Sequence, residues 1–456
     1  MSAHTVVIGG GLAGIAAALD CARAGAQVTL LEARGRLGGS AYSFERGGLQ
    51  VDNGQHVFLR CCSAYRGLLT RIGATGLVSL QPRLDVAVRA PDGRQGRLAR
   101  NVLPAPLHLA GALWSYPFLS HRETLSLVLA MRALSAVDVD DPANDRLPFQ
   151  VWLARYRQHR AAIASVWDLI ARPTVNLAVA EASLAQVAQV FQVGLLSDNS
   201  AGDIGWAQTP LSEIHDRQAR SALERAGVAV RLRSTVRSLT GALAVSASDG
   251  FDARANAVIL AIPPSRAQAL IPPQAGVEPG FAEALGSSAI VNLHVVYDRR
   301  VMDEPFFAGV GTPVQWVFDR TRAAGLGKRP GERDGQYLAV SLSAANAELH
   351  DSADTLRKRY LPALAELLPR ARQANVEEFF VTREHAATFR AAPGARAHRP
   401  GPRTAVDGLL LAGAYTDTGW PATMEGAVRS GRAAAAVALQ VLGASAAPRG
   451  SVGMAA

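Results

Sequence analysis

The sequence predicts an α/β protein, in which a Rossmann-like nucleotide-binding domain is interleaved with an α+β domain. Three observations carry this. A β-branched run at 5–8 breaks into Gly9-Gly10-Gly11-Leu12-Ala13-Gly14 and then an alanine-rich stretch of helical spacing. Apolar runs of the buried-strand kind return much later, at 257–262 and 408–413. Between these blocks lie one mainly helical insertion and one insertion of short β-like runs.

A chain of 456 residues holds about three units of roughly 150 residues, or two larger interleaved ones. With 49% hydrophobic and 19% charged residues, the composition excludes a disordered chain, collagen and coiled coil. No run of about 20 apolar residues would span a bilayer. Cys21, Cys61 and Cys62 show no metal-ligand spacing, so no metal is expected, and a reduced, cytoplasmic protein is. The net charge is +9, and all 47 basic residues except Lys328 and Lys358 are arginines. Such a surface suits an anionic membrane face. Nucleic acid is not expected, because no basic tract interleaves with aromatics.

The first strand leads into the glycine turn, and each glycine has a distinct task. Gly9 permits the tight turn, Gly11 lets the backbone approach a pyrophosphate, and Gly14 lets the helix pack closely on the strand. The helix start offers N–H groups and a positive dipole end to phosphate. Gly25 closes the helix, and a second strand at 27–31 ends at Glu32, where a carboxylate accepts ribose hydroxyls.

The segment Ala33-Arg34-Gly35-Arg36-Leu37-Gly38-Gly39-Ser40 follows directly. Here the chain resembles the flavoprotein superfamily of amine oxidases and phytoene desaturases, whose glycine-arginine segment runs along FAD. The resemblance implies FAD rather than NAD as cofactor. It implies contacts from Gly9, Gly11, Leu12, Ala13, Gly14, Glu32, Ala33, Arg36, Gly38, Gly39 and Ser40, although Ser40 stands where many members have arginine. It also implies a backbone contact to adenine from Val236, in the alternating strand 227–236. The last block runs from Gly413-Ala414 to Thr423-Met424-Glu425-Gly426-Ala427 and on into an alanine-rich helix. In this superfamily it lies beneath the flavin ring, so Gly413, Ala414, Thr423, Met424, Glu425 and Ala427 are further expected contacts. Glu425 reads more readily as a structural residue at the helix start than as a catalytic carboxylate.

The expected segments are 1–97, 212–286 and 385–443 for the FAD domain, 98–211 for a helical insertion or lid, and 287–384 for a sheet-and-helix substrate domain. A tail at 444–456 is expected to be disordered. Two motifs, Val51-Asp52-Asn53-Gly54-Gln55-His56 and Thr418-Gly419-Trp420-Pro421, resemble the hydroxysqualene dehydroxylase branch of squalene and hopanoid synthesis. Thr423 replaces the tyrosine that amine oxidases tend to carry there, which argues against an amine substrate.

That branch implies reductive removal of a hydroxyl from hydroxysqualene, by hydride transfer from N5 of reduced flavin to an allylic cation. A dry apolar pocket protects such a cation, and an acid must stand near the leaving oxygen. Candidates for the acid are His56, Asp52 and Asp417; Tyr415 and Trp420 are candidates to line the pocket. A carotenoid (phytoene-type) desaturase remains the alternative. No second dinucleotide motif is evident, so the electron donor is an unidentified partner. The greasy stretches 103–119 and 125–134 suggest either a peripheral contact at the inner membrane face or a lid over a buried tunnel.

Overall fold

The computed structural model describes residues 3–327 and 335–446. Its first sheet has five strands in the order Ala229–Leu232, Gln27–Glu32, His4–Ile8, Ala257–Leu260 and Leu409–Leu411, all parallel. A parallel sheet is covered on both faces, so its strands read as near-continuous apolar runs. Val6, Val7, Val258, Ile259 and Leu409 are accordingly sealed from solvent. The α/β class expected from the three apolar runs is the class observed.

The first helix, Leu12–Arg23, and the last, Met424–Ala446, pack against each other beside this sheet. Both are rich in alanine, and Ala16, Ala17, Ala434 and Ala435 are buried in one cluster. Small side chains let the two backbones approach closely. A Cβ added at Gly431 would lie 2.0 Å from the carbonyl oxygen of Ala13.

The second sheet has seven strands, in the order Val376–Thr388, Ser288–Tyr297, Gln336–Ser343, Trp316–Asp319, Phe306–Gly309, Asp85–Arg89 and Gln95–Ala99. The last two depart from the sequence-based division. Residues 85–97 fall within the expected first FAD segment, yet they extend the second sheet. Ala87 pairs with Phe307, and Val86, Val88 and Leu98 enter the same core as Phe306. Burial of those three side chains, available only at that edge, outweighs sequence proximity.

One face of this sheet is covered by the helix Ala353–Leu367, through Leu356, Tyr360 and Leu364. The helical insertion packs around Phe149, Trp152, Trp167 and Phe191, within the same apolar cluster as Val86, Leu98 and Phe306. Neighbouring ring centroids there are 4.9–6.2 Å apart. Aromatic pairs at such spacing add to their burial energy. Residues 444–446 continue the last helix, and the rest of the expected tail lies outside the described residues.

Substituting Gly431→Val forces the first and last helices apart. A destabilisation of about 1–3 kcal/mol or more is expected, read as a lower melting temperature. An unchanged melting curve would mean that the contact has slack.

Candidate functional site

The glycine turn is built so that backbone, not side chain, faces the space above the sheet. Gly9 has φ +109°, and a Cβ there would lie 2.2 Å from the carbonyl oxygen of Ala261. A Cβ at Gly14 would meet the carbonyl oxygen of Gly9 at 1.9 Å, so the helix sits directly on the turn. Gly11 differs, because the nearest atom to its missing Cβ is the Cα of Gly39, at 3.7 Å. Gly11 is the N-cap of the first helix; it makes no side-chain cap, and no acid occupies the first turn. The N–H groups that open this helix therefore point to a phosphate site with no protein competitor of their own.

Glu32 is buried at the end of its strand. One carboxylate oxygen accepts from the Gly10 N–H at 2.7 Å and the other from the Arg34 N–H at 2.7 Å. A carboxylate offers about four acceptor directions, so two remain for hydroxyls. Val236 follows a segment tied to the same place, since the Ser234 N–H donates to the Glu32 carbonyl and that of Arg233 to the Arg34 carbonyl. Gly38 and Gly39 have φ +95° and +58°, and the Gly38 N–H donates to the Gly10 carbonyl. Arg36 lies 3.6 Å from the Tyr42 ring centre and donates to the Gly39 carbonyl. Ala33 and Ser40 are exposed, and the Ser40 carbonyl accepts from Asn53.

At the other end of the chain, Gly413 has φ +143°, and its N–H donates to the Ser430 hydroxyl, which also bonds Thr416. Thr423 caps the last helix, its hydroxyl accepting from the Gly426 N–H at 3.1 Å. Glu425 is not free to act on a ligand. Its carboxylate accepts from the Ala64 and Tyr65 N–H groups and from Arg429, and so caps the helix Ser63–Arg71, which has no side-chain cap of its own. Any contact of Met424, Glu425 or Ala427 with a ring is left to main chain and to the outer side-chain atoms.

The three acid candidates come out differently. Asp52 is buried, with one oxygen accepting from Ser43 and the Leu211 N–H and the other from Arg320 at 2.6 Å. Arg320 is equally buried and also donates to the Ala207 carbonyl. A carboxylate so placed ties its own strand to the Leu211 and Arg320 segments. Asp417 faces outward and pairs with Arg396 at 3.2 Å. His56 is partly buried and has no hydrogen-bond partner among the described residues. Burial, and then Arg320, lower its pKa to about 4, so the ring is neutral near pH 7. Around it lie buried polar atoms without partners: Gln55 Nε2, Thr209 Oγ1 and Asn292 Oδ1. Such atoms are costly unless something bonds them.

Tyr415 is buried, stacks on Phe281 at 5.9 Å, and its hydroxyl has no partner. Trp420 is half-buried under the Arg429 guanidinium, 4.6 Å from its ring centre. Three groups not singled out from the sequence organise the site. Arg399 donates to the carbonyls of Ala414, Tyr415, Thr416 and Trp420, and shapes the whole last loop. Burial lowers its pKa to about 10, so it stays charged. Arg320 holds Asp52, as above. His215 bonds Tyr65 and Ala41 beneath Gly38, at whose missing Cβ its own Cβ stands 3.1 Å away. A buried arginine facing several carbonyls carries no local sequence pattern, which is why spacing alone did not mark it.

A surface cleft of about 640 Å³ opens on the outer side of the first and last helices near Asp20, Arg23 and Arg432, away from the turn. A smaller cavity of about 180 Å³ lies between Gln186 and the loop Gly419–Trp420–Pro421. That is below the roughly 300–1,000 Å³ of most ligand pockets.

A family model described as flavin containing amine oxidoreductase matches residues 12–439. Hydroxysqualene dehydroxylase of Rhodopseudomonas palustris is 29% identical, covering 96% of this chain and 99% of that protein. Zeta-carotene desaturase of a Synechocystis strain is 24% identical over 95% and 96% of the two chains. Among solved structures, a putrescine oxidase bound to putrescine aligns with a TM-score of 0.71 at 19% identity, over 96% and 99%. A putative protoporphyrinogen oxidase from Exiguobacterium gives 0.68 at 18%, over the same shares. These two show the fold alone. Open backbone donors, a carboxylate with spare acceptor sites and unpartnered buried polar atoms all fit a bound flavin dinucleotide.

Two measurements test these assignments. Asp52→Asn leaves Arg320 buried without its counter-charge, and a loss of about 3–5 kcal/mol is expected from denaturant unfolding; adding Arg320→Met restores much of it. A single variant as stable as the parent would contradict the structural role.

Acid should also weaken the fold. The Ala41 carbonyl can only accept, so His215 carries its proton on Nδ1 and accepts from Tyr65 on Nε2. His294 carries a proton on Nε2, because Thr382 donates to the Asn53 carbonyl and so accepts from it. Burial lowers their pKa values to about 4 and about 3. Below the unfolded value of about 6.5, the unfolded chain binds more protons than the folded one. Stability is therefore expected to fall as pH drops from about 6.5 towards 4. A melting temperature flat across that window would refute it.

Proposed function

The chain belongs to the flavin containing amine oxidoreductase family and is an FAD-dependent oxidoreductase; on that premise we propose that it removes the hydroxyl of hydroxysqualene reductively, giving squalene. The observation that carries this reading is the Tyr415 hydroxyl, buried without a partner in an apolar cluster that runs from the insertion helices to the last loop. An apolar wall with one such hydroxyl suits a long hydrocarbon bearing one oxygen. Two curated relatives named hydroxysqualene dehydroxylase, 29% identical over nearly the full chain, support the same substrate class.

The residues divide the work by chemistry. N–H groups opening the first helix would hold the pyrophosphate, Glu32 the ribose, and main chain near Val236 the adenine. The start of the last helix, at Met424–Ala427, would face the ring with its positive dipole end. Reduced FAD, when bound, would supply a hydride to the carbon and, overall, the proton with which the hydroxyl leaves as water. Tyr415 stays protonated, because burial raises its pKa, and donates a hydrogen bond to the leaving oxygen. Apolar walls keep water from the allylic cation formed as that oxygen departs. His56, neutral near pH 7, serves as a hydrogen-bonding partner beside Gln55 and Asn292. The electron donor is a separate partner.

A carotenoid desaturase is the second reading, favoured by the zeta-carotene desaturase relative. It runs the flavin in the opposite direction, and one experiment separates the two. Reduced enzyme mixed anaerobically with hydroxysqualene is expected to reoxidise its flavin and yield squalene. Tyr415→Phe should slow this by about 10- to 100-fold while folding normally. Desaturation of phytoene or squalene by the resting oxidised enzyme, without dehydroxylation, would transfer the protein to the second reading.

A further inference from the structure

Ten large hydrophobic side chains stand exposed among the described residues, and nine of them fall between Val102 and Tyr156. The centre of this concentration is the helix His121–Leu134. Its inner face buries Leu127, Ala130, Met131 and Leu134 in the insertion core. Its outer face presents Leu125, Val128 and Leu129, which are 57%, 45% and 66% exposed. A helix apolar on both faces lacks a solvated side, which is the pattern of an element covered by something else.

The apolar surface is continuous with its neighbours. Trp114, itself half exposed, stacks on His121 with ring centres 4.3 Å apart. On the far side, Gln158 donates both to Ser126 and to the carbonyl of Tyr156, which brings the exposed Tyr156 ring beside the helix.

The rim says what covers it. Arg122 and Arg132 flank the stripe on the same helix, and Arg155, Arg157 and Arg160 lie around Tyr156 in sequence. All five are exposed, and none forms an ion pair among the described residues. The acids of this region are committed elsewhere. Glu123 closes a capping box with Ser120, Asp140 pairs with Arg396, and Asp141 caps Pro142–Arg146. What remains is an apolar centre ringed by unpaired cations.

We propose that this face docks on an anionic lipid bilayer, with Leu125, Val128, Leu129 and Trp114 entering the acyl boundary and the arginines resting on headgroups. For its purpose this rests on the isoprenoid reading. The core beneath the stripe is the same cluster that contains Tyr415, so a lipid-soluble substrate would meet an apolar route from the bilayer to the last loop.

The test uses the full-length, FAD-loaded protein and vesicles of phosphatidylcholine with or without one-third phosphatidylglycerol. Co-sedimentation is expected with the anionic vesicles, falling as salt rises. The triple variant Leu125→Ser, Val128→Ser, Leu129→Ser should bind at least about tenfold more weakly even at low salt. Arg122→Gln with Arg132→Gln should weaken binding and flatten its salt dependence. Because these side chains are exposed, flavin content and melting temperature should match the parent and certify the fold. The proposal is overturned if the parent ignores anionic vesicles at low salt, or if the triple variant binds them as well as the parent does. It is equally overturned if the triple variant only converts a dimer to a monomer in sedimentation velocity, which would make the face a self-association surface. Turnover separates the two proposals. The triple variant should convert detergent-dispersed hydroxysqualene normally and vesicle-embedded hydroxysqualene poorly. Failure of the parent on both would sink the substrate, while the vesicle binding would still decide the docking face.

Discussion

Space for a side chain is absent at three points around the first turn and helix, and the rest of the nucleotide end depends on that exclusion. Gly9 sits against Ala261, Gly14 against Gly9, and Gly431 against Ala13, each so close that a Cβ would overlap a carbonyl oxygen. These contacts bring the first helix down on the turn and the last helix down on the first. They set the direction of the open N–H groups, and through Gly10 they place the Glu32 carboxylate beside the same turn. A family of distant segments can form one parallel sheet only if the helices crossing it lie close, and small residues on both helices meet that demand.

The charged groups near this centre are mostly architectural. Asp52 and Glu425 both resemble catalytic carboxylates by position. One neutralises Arg320, distant in sequence, and the other caps a helix that lacks a cap of its own. Arg399 spends its donors on four carbonyls of a loop with little regular structure. Buried charges are tolerated where each has its partners, and here they hold irregular backbone in one shape. Unpartnered atoms remain among them, including Gln55 Nε2, Thr209 Oγ1, Asn292 Oδ1, the Gln186 amide and the Tyr415 hydroxyl. A site that is satisfied everywhere except at a few aimed polar atoms has room for chemistry only there.

Much of the fold was legible along the chain because the signals were local. The glycine turn, the acid at the strand end and the buried runs at 257–260 and 409–411 each combine a period or a spacing with a clear physical job. The short strands at 85–89 and 95–99 were not assigned to their sheet, since their pairing with Phe306–Gly309 is a contact between distant segments. Asp52's partner was hidden for a related reason. A carboxylate's role depends on what lies within about 3 Å, and Arg320 is far from Asp52 in sequence.

By itself, then, the sequence determined a dinucleotide-binding α/β framework and the glycine turn and acid that mark it. The tertiary structure alone decided which charges are already neutralised, which hydroxyl is left without a partner, and which side of an apolar helix faces out. Periodicity and glycine spacing are written in neighbouring residues, whereas ion pairing and exposure arise only when remote segments are brought together.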